Sequence, residues 1–143
     1  MRKKNKKKQT VALIKPDGVM KNAVEEIQAR YQRAGLVILS EHRFRFTEEY
    51  ARRFYVRHEG KCYFEGLILA MTSGEIVAFL LEGDSNVVDV VRRLNGATDP
   101  REAEPGTIRR DFRSAGGPFN TVHGSDSVEE AEREWAIVLE AVT

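Results

Sequence analysis

The stretch Asn120-Thr121-Val122-His123-Gly124-Ser125-Asp126-Ser127 sets a histidine just beyond a short β-branched run and directly before a turn that reads as a helix start. A strand end of this kind holds an imidazole where backbone groups fix its tautomer and aim it at a ligand. Near neutral pH much of the ring is unprotonated, so one nitrogen is free to act as a nucleophile. Cations and hydroxyls stand at the ends of other elements: Lys15 after an apolar run, Arg92 in a helical pattern, Thr98 in a long loop and Arg109 in a short turn. Converging, they would suit a ligand with several negative charges. Each alone is more often a solvated surface group, and a histidine in such a turn, taken alone, is more often a hydrogen-bonded surface residue. Other chemistries lack their residues. There is no GxxxxGK[ST] or GxGxxG phosphate loop. His42, His58 and His123 are scattered and Cys62 is the single cysteine, so no metal-ligand spacing is present. Ser125 sits in no GxSxG elbow, which argues against a serine hydrolase.

The chain has 143 residues, enough for one domain with its own core. The net charge of +1 hides an asymmetry, because Arg2 to Lys8 carries six cations and no acid. Without them 17 basic residues face 22 acidic ones. Residues 1–9 are therefore expected to be a disordered basic leader, and 10–143 a single acidic domain. An acidic body speaks against general nucleic-acid binding, leaving only leader contacts with such a partner. If that body binds polyphosphates, its cations must gather in one cleft. The lone cysteine suits a reducing compartment, and no apolar run has the length of a membrane span. A cytoplasmic protein without a membrane partner is expected.

Several elements must position these groups. Thr10 to Lys15 reads as an apolar first strand, ending in a Pro16-Asp17-Gly18 turn. Ala23 to Arg33 is a helix stopped at Gly35, with Val24, Ile27 and Tyr31 on one face. Leu36 to Phe46 is a long second strand, and Thr47 caps the next helix. A short helix spans Phe64 to Met71, and Ile76 to Leu81 is a third strand. Asn86 is expected to cap a helix reaching Asn95. Ala97 to Gly106 is a loop with Pro100 and Pro105, and Thr107 to Phe112 makes one helical turn. Phe119 to His123 is the fourth strand, and Ser127 with Glu130 forms a capping box for a last helix reaching about Glu140. Four strands in this rhythm fit a small parallel sheet or an antiparallel βαββαβ sandwich, and periodicity does not choose between them.

Three motifs choose. Ile14-Lys15-Pro16-Asp17-Gly18-Val19, Pro105-Gly106-Thr107-Ile108-Arg109-Arg110-Asp111-Phe112 and the Asn120–Ser127 stretch closely resemble those of nucleoside diphosphate kinases. They occur in the same order, with Glu82-Gly83 and the Gly96–Pro100 Gly-x-Thr-x-Pro run between them. The likeness extends from about Thr10 to Leu139. It implies an α+β fold, the ferredoxin-like βαββαβ sandwich with helices packed on a four-stranded antiparallel sheet. It also implies ping-pong transfer of a γ-phosphoryl group from a nucleoside triphosphate to a diphosphate, through a phosphohistidine at His123. By the same resemblance Glu134 bonds the far ring nitrogen of His123, and Ser125 supports Glu134. Arg92, Thr98 and Arg109 hold phosphate oxygens, and Lys15 and Asn120 reach the sugar hydroxyls, Lys15 the phosphates as well. Tyr55 brings its hydroxyl near the transferred group, and Tyr63 stacks on the base. Mg²⁺ arrives on the nucleotide phosphates, with no protein metal site, and the chain is expected to form a homo-oligomer, a tetramer or hexamer.

Some positions depart from the family pattern. Tyr63 replaces a phenylalanine, Cys62 a proline, and Gly116 falls near the apolar residue that covers the other face of the base. The segment from Ser114 to Phe119 is one residue longer. These changes leave a second reading open, a catalytically weak nucleotide-binding or regulatory interaction module of the same fold.

Overall fold

β1 (Lys8–Ile14) runs through the middle of the sheet with its apolar residues divided by parity. Val11 and Leu13 join one core, whereas Ala12 and Ile14 join another on the opposite face. A strand covered on both sides needs apolar residues throughout, which is why this run shows no polar alternation. The computed structural model describes residues 6–143, so the first five residues of the basic leader lie outside the described residues.

Among the described residues, β1 is followed by α1 (Pro16–Met20), α2 (Val24–Arg33), β2 (Val37–Phe44), α3 (Glu48–Phe54) and α4 (Phe64–Met71). Then come β3 (Ile76–Gly83), α5 (Val87–Asn95), α6 (Ile108–Asp111), β4 (Val122–Gly124) and α7 (Val128–Val142). The sheet order is β2-β3-β1-β4, and every neighbouring pair is antiparallel. This is the ferredoxin-like arrangement. Phe54, Phe64, Met71, Ile137 and Val138 cover one face from α3, α4 and α7. Ile27, Tyr31, Val87, Val91 and Ile108 cover the other from α2, α5 and α6.

Four local readings change. The Pro16-Asp17-Gly18 turn is instead the helix α1, with Lys15 extended ahead of Pro16 at its first position. Proline favours both features, since it restricts the preceding residue and lacks the N–H that a first turn leaves unpaired. Asn86 begins α5 without a side-chain cap. The fourth strand is shorter than Phe119 to His123, because Phe119 bridges back to Gly116 and Thr121 has a left-handed φ of 73°. Extended pairing therefore resumes only at Val122. β1 also starts two residues before Thr10, at Lys8.

Candidate active site

His123 lies in β4, opposite Leu13 of β1. Its Nε2 is 2.8 Å from Glu134 Oε1. Glu134 is buried because α7 turns Ala131, Glu134, Ile137 and Val138 to the sheet at helical spacing. A buried carboxylate needs partners, and Glu134 has two: His123 and the Ser125 hydroxyl, which donates to the same oxygen at 2.8 Å. Val11 N–H in turn donates to Ser125 Oγ at 3.3 Å, and Ser125 N–H to Val11 O at 3.1 Å. The strand, the helix and the nucleophile candidate are thereby held together. With Nε2 occupied by an acceptor, the ring proton sits on Nε2 and the lone pair on Nδ1.

His123 lines a cavity of about 1120 Å³ that also takes in Lys15, Tyr55, Tyr63, Arg92, Thr98, Arg109 and Asn120. The binding candidates expected from sequence are thus brought to one place. Lys15 Nζ donates to Pro118 O at 2.7 Å and to Asn120 Oδ1 at 2.8 Å, and Asn120 Nδ2 donates to Thr98 O at 3.1 Å. Arg109 braces three wall segments through its donations to Gly96 O (2.8 Å), Asn120 O (3.2 Å) and Val122 O (2.8 Å).

The charges are sorted by depth. Lys15 is 4% exposed, and burial draws its ammonium down to about 8, with Asp17 opposing and Arg109 adding to the fall. Burial likewise lowers Arg109, which as a guanidinium stays charged. Among the described residues neither of these two forms an ion pair. The acids that line the cavity, Asp89, Glu102, Glu104 and Asp126, are all exposed. A domain that is net acidic without its basic leader therefore keeps uncompensated positive charge at the floor of one cleft, where a polyphosphate would be drawn. Arg92 lies further out, 3.4 Å from Asp126 Oδ1.

Tyr55 lines the same cavity beside His123. Its hydroxyl donates to Met71 Sδ at 3.6 Å, while its ring meets His123 edge-on at 5.7 Å. Burial, together with the Glu134 charge, pushes the phenol well above its usual range, so it remains neutral. Gly116 turns back on Phe119, and Gly117 and Pro118 wall the cavity in its place.

Three contributors were not singled out by spacing. Asp126 accepts from Arg57 at 3.1 Å besides facing Arg92, and it lies inside the quoted histidine motif. Asn95 is buried in the cavity wall and accepts from Tyr31 Oη at 2.5 Å. His58 contacts Tyr63 and Tyr55, and only through-space packing reveals it. Among the described residues no group of three or more His, Cys, Asp or Glu side chains could hold a metal ion. No helix there is long and apolar enough to cross a membrane.

A family model described as nucleoside diphosphate kinase matches residues 8–143. The nucleoside diphosphate kinase of Staphylothermus marinus is 49% identical over 130 residues, covering 91% of each chain. The Aquifex aeolicus nucleoside diphosphate kinase structure superposes with a TM-score of 0.88 at 35% identity, over 93% of this chain and 95% of that one. A halophilic nucleoside diphosphate kinase from Halobacterium salinarum, solved in complex with CDP, gives 0.86 at 38% identity, over 92% and 87%. With a match across all but its first residues and relatives of this likeness, the chain belongs to the nucleoside diphosphate kinase family.

Proposed function

We propose that this chain is a working nucleoside diphosphate kinase with His123 as its nucleophile. The observation that carries the proposal is the Ser125–Glu134–His123 chain, which leaves His123 Nδ1 with a free lone pair in a cavity lined by the buried Lys15 and part-buried Arg109 cations. In the first half-reaction Nδ1 bonds to the γ-phosphorus, and the bond from phosphorus to the β–γ bridging oxygen breaks. The electron pair leaves on the diphosphate. In the second half a terminal oxygen of another diphosphate attacks the same phosphorus and Nδ1 departs. Glu134 stabilises the imidazole while it is cationic. Phosphoryl transfer is catalysed chiefly by positioning and charge neutralisation, the roles assigned here to Lys15, Arg92, Arg109 and the Thr98 loop. Asn120 links Lys15 to that loop. Tyr55 steadies His123 by ring packing, and Tyr63 offers a face to the base at the cavity mouth.

Mg²⁺ would enter on the nucleotide and supply charge neutralisation on its phosphates. The residues fit that mode, since the lining acids are all exposed and, among the described residues, no clustered ligand set competes for the ion. We place the protein in the cytosol, as the free, exposed Cys62 suits a reducing compartment. Self-association through β2 is supported by its position at the sheet edge with Val37 and Leu39 exposed. Sedimentation of the intact chain would give the copy number. Transfer of phosphate from ATP to dGDP, run beside His123→Gln, tests the function. Exchange is expected in the parent alone, and no exchange in the parent refutes the kinase reading.

A further inference from the structure

At the mouth of the cavity Tyr63 is 48% exposed, just ahead of α4. Its hydroxyl lies 2.6 Å from Nδ1 of His58, the last residue of the 3₁₀ turn Val56–His58. The two rings meet at 5.6 Å and 64°. His58 also packs against Tyr55 at 5.9 Å, and Tyr55 against His123 at 5.7 Å. Aromatic rings therefore run in file from the mouth to the nucleophile.

A tyrosine hydroxyl is a ready hydrogen-bond donor. Burial lowers the His58 imidazole, which favours its neutral form and leaves Nδ1 able to accept. An exposed ring without such a tether samples several rotamers, and ordering it on binding costs side-chain entropy. A nucleotide whose phosphates lie on Lys15 and Arg109 carries its base toward the open end of the cavity, where stacking on an aromatic face accepts any base.

We infer that His58 is a positioning residue for nucleobase binding, holding the Tyr63 ring, through the hydroxyl-to-Nδ1 bond, as a pre-ordered stacking platform. The inference rests on the reading of this cavity as a nucleotide site. A phenylalanine at 63 would offer the same face but could not be tethered. The histidine matters here because the hydroxyl is present.

Calorimetric affinities of the intact chain for ADP and for inorganic pyrophosphate, which has no base, test it without requiring turnover. Tyr63→Phe and His58→Ala should each raise the ADP Kd by about fivefold, the worth of one ordinary hydrogen bond. The double variant should be no weaker than either single one. The pyrophosphate Kd should stay constant throughout. An unchanged ADP Kd in Tyr63→Phe overturns the inference, and so does a parallel loss of pyrophosphate affinity, which would mark a collapsed loop. Failure of the kinase reading would show separately, as a parent that binds ADP but does not exchange phosphate.

Discussion

Raising the pH through 8 should discharge the deepest cation of the site. Lys15 is almost fully buried, and desolvation brings its ammonium from the ordinary 10.5 to about 8. The terminal phosphate of ADP has already lost its last proton below that pH. If only the charged lysine binds phosphate, affinity falls about tenfold per pH unit above 8, so the ADP Kd should be roughly thirtyfold larger at pH 9.5 than at pH 7. Binding near pH 9 should also take up close to one proton, since the phosphates restore the ammonium. Calorimetry in two buffers of different ionisation enthalpy measures that uptake directly. Lys15→Met should bind weakly and show a flat profile over the same range. A flat profile with no proton uptake in the parent would refute the contact between Lys15 and phosphate. Folding carries the opposite sign. Between 8 and 10.5 the unfolded chain holds a proton on this lysine that the folded chain has released, so the stability of the empty protein rises with pH through that window.

Other perturbations separate chemistry from architecture. Arg109→Ala should lower kcat by on the order of a hundredfold, the usual cost of removing one transition-state donor. It should also lower the melting temperature, because the carbonyls of Gly96, Asn120 and Val122 lose their shared partner. Glu134→Gln should reduce kcat by about ten- to a hundredfold, as expected for loss of a ligand-orienting carboxylate, with KM for ADP nearly unchanged in steady-state assays. Gly18→Ala should destabilise the fold by about 1–3 kcal/mol in urea titration, since a Cβ there would lie 2.8 Å from Ile14 Cγ2 and 2.9 Å from the Thr121 carbonyl oxygen.

Much of this architecture is legible in local chemistry. The Ser127–Glu130 pair announces α7, and Ser127 Oγ does accept from the Glu130 N–H at 3.0 Å. The unbroken apolar run of β1 announces a central strand, and three ordered motifs choose the antiparallel sheet that periodicity leaves open. What local chemistry misreads is set by distant contacts. Thr121 looks like a strand residue, since it is β-branched. Yet Asp17 Oδ2 accepts its N–H at 2.9 Å, and its own hydroxyl donates to Phe112 O at 2.9 Å. Together they hold it at a φ that shortens the strand. His58 looks like a stray surface histidine until the 3₁₀ turn sets it beside Tyr63. The same limit applies to the Tyr55 hydroxyl, whose direction depends on where α4 delivers Met71.

The bonds that shape the candidate site join residues far apart along the chain. Lys15 meets Asn120 across 105 positions, Asp17 meets Thr121 across 104, and Ser125 meets Val11 across 114. Such long loops close late, because their entropy must be lost before the contacts form. On a growing chain the first strand waits for almost everything else to be made before His123 acquires its setting. Activity recovered during refolding should accordingly follow the last phase of structure formation, and a chain cut short before Glu134 should be silent however much of its sheet has assembled.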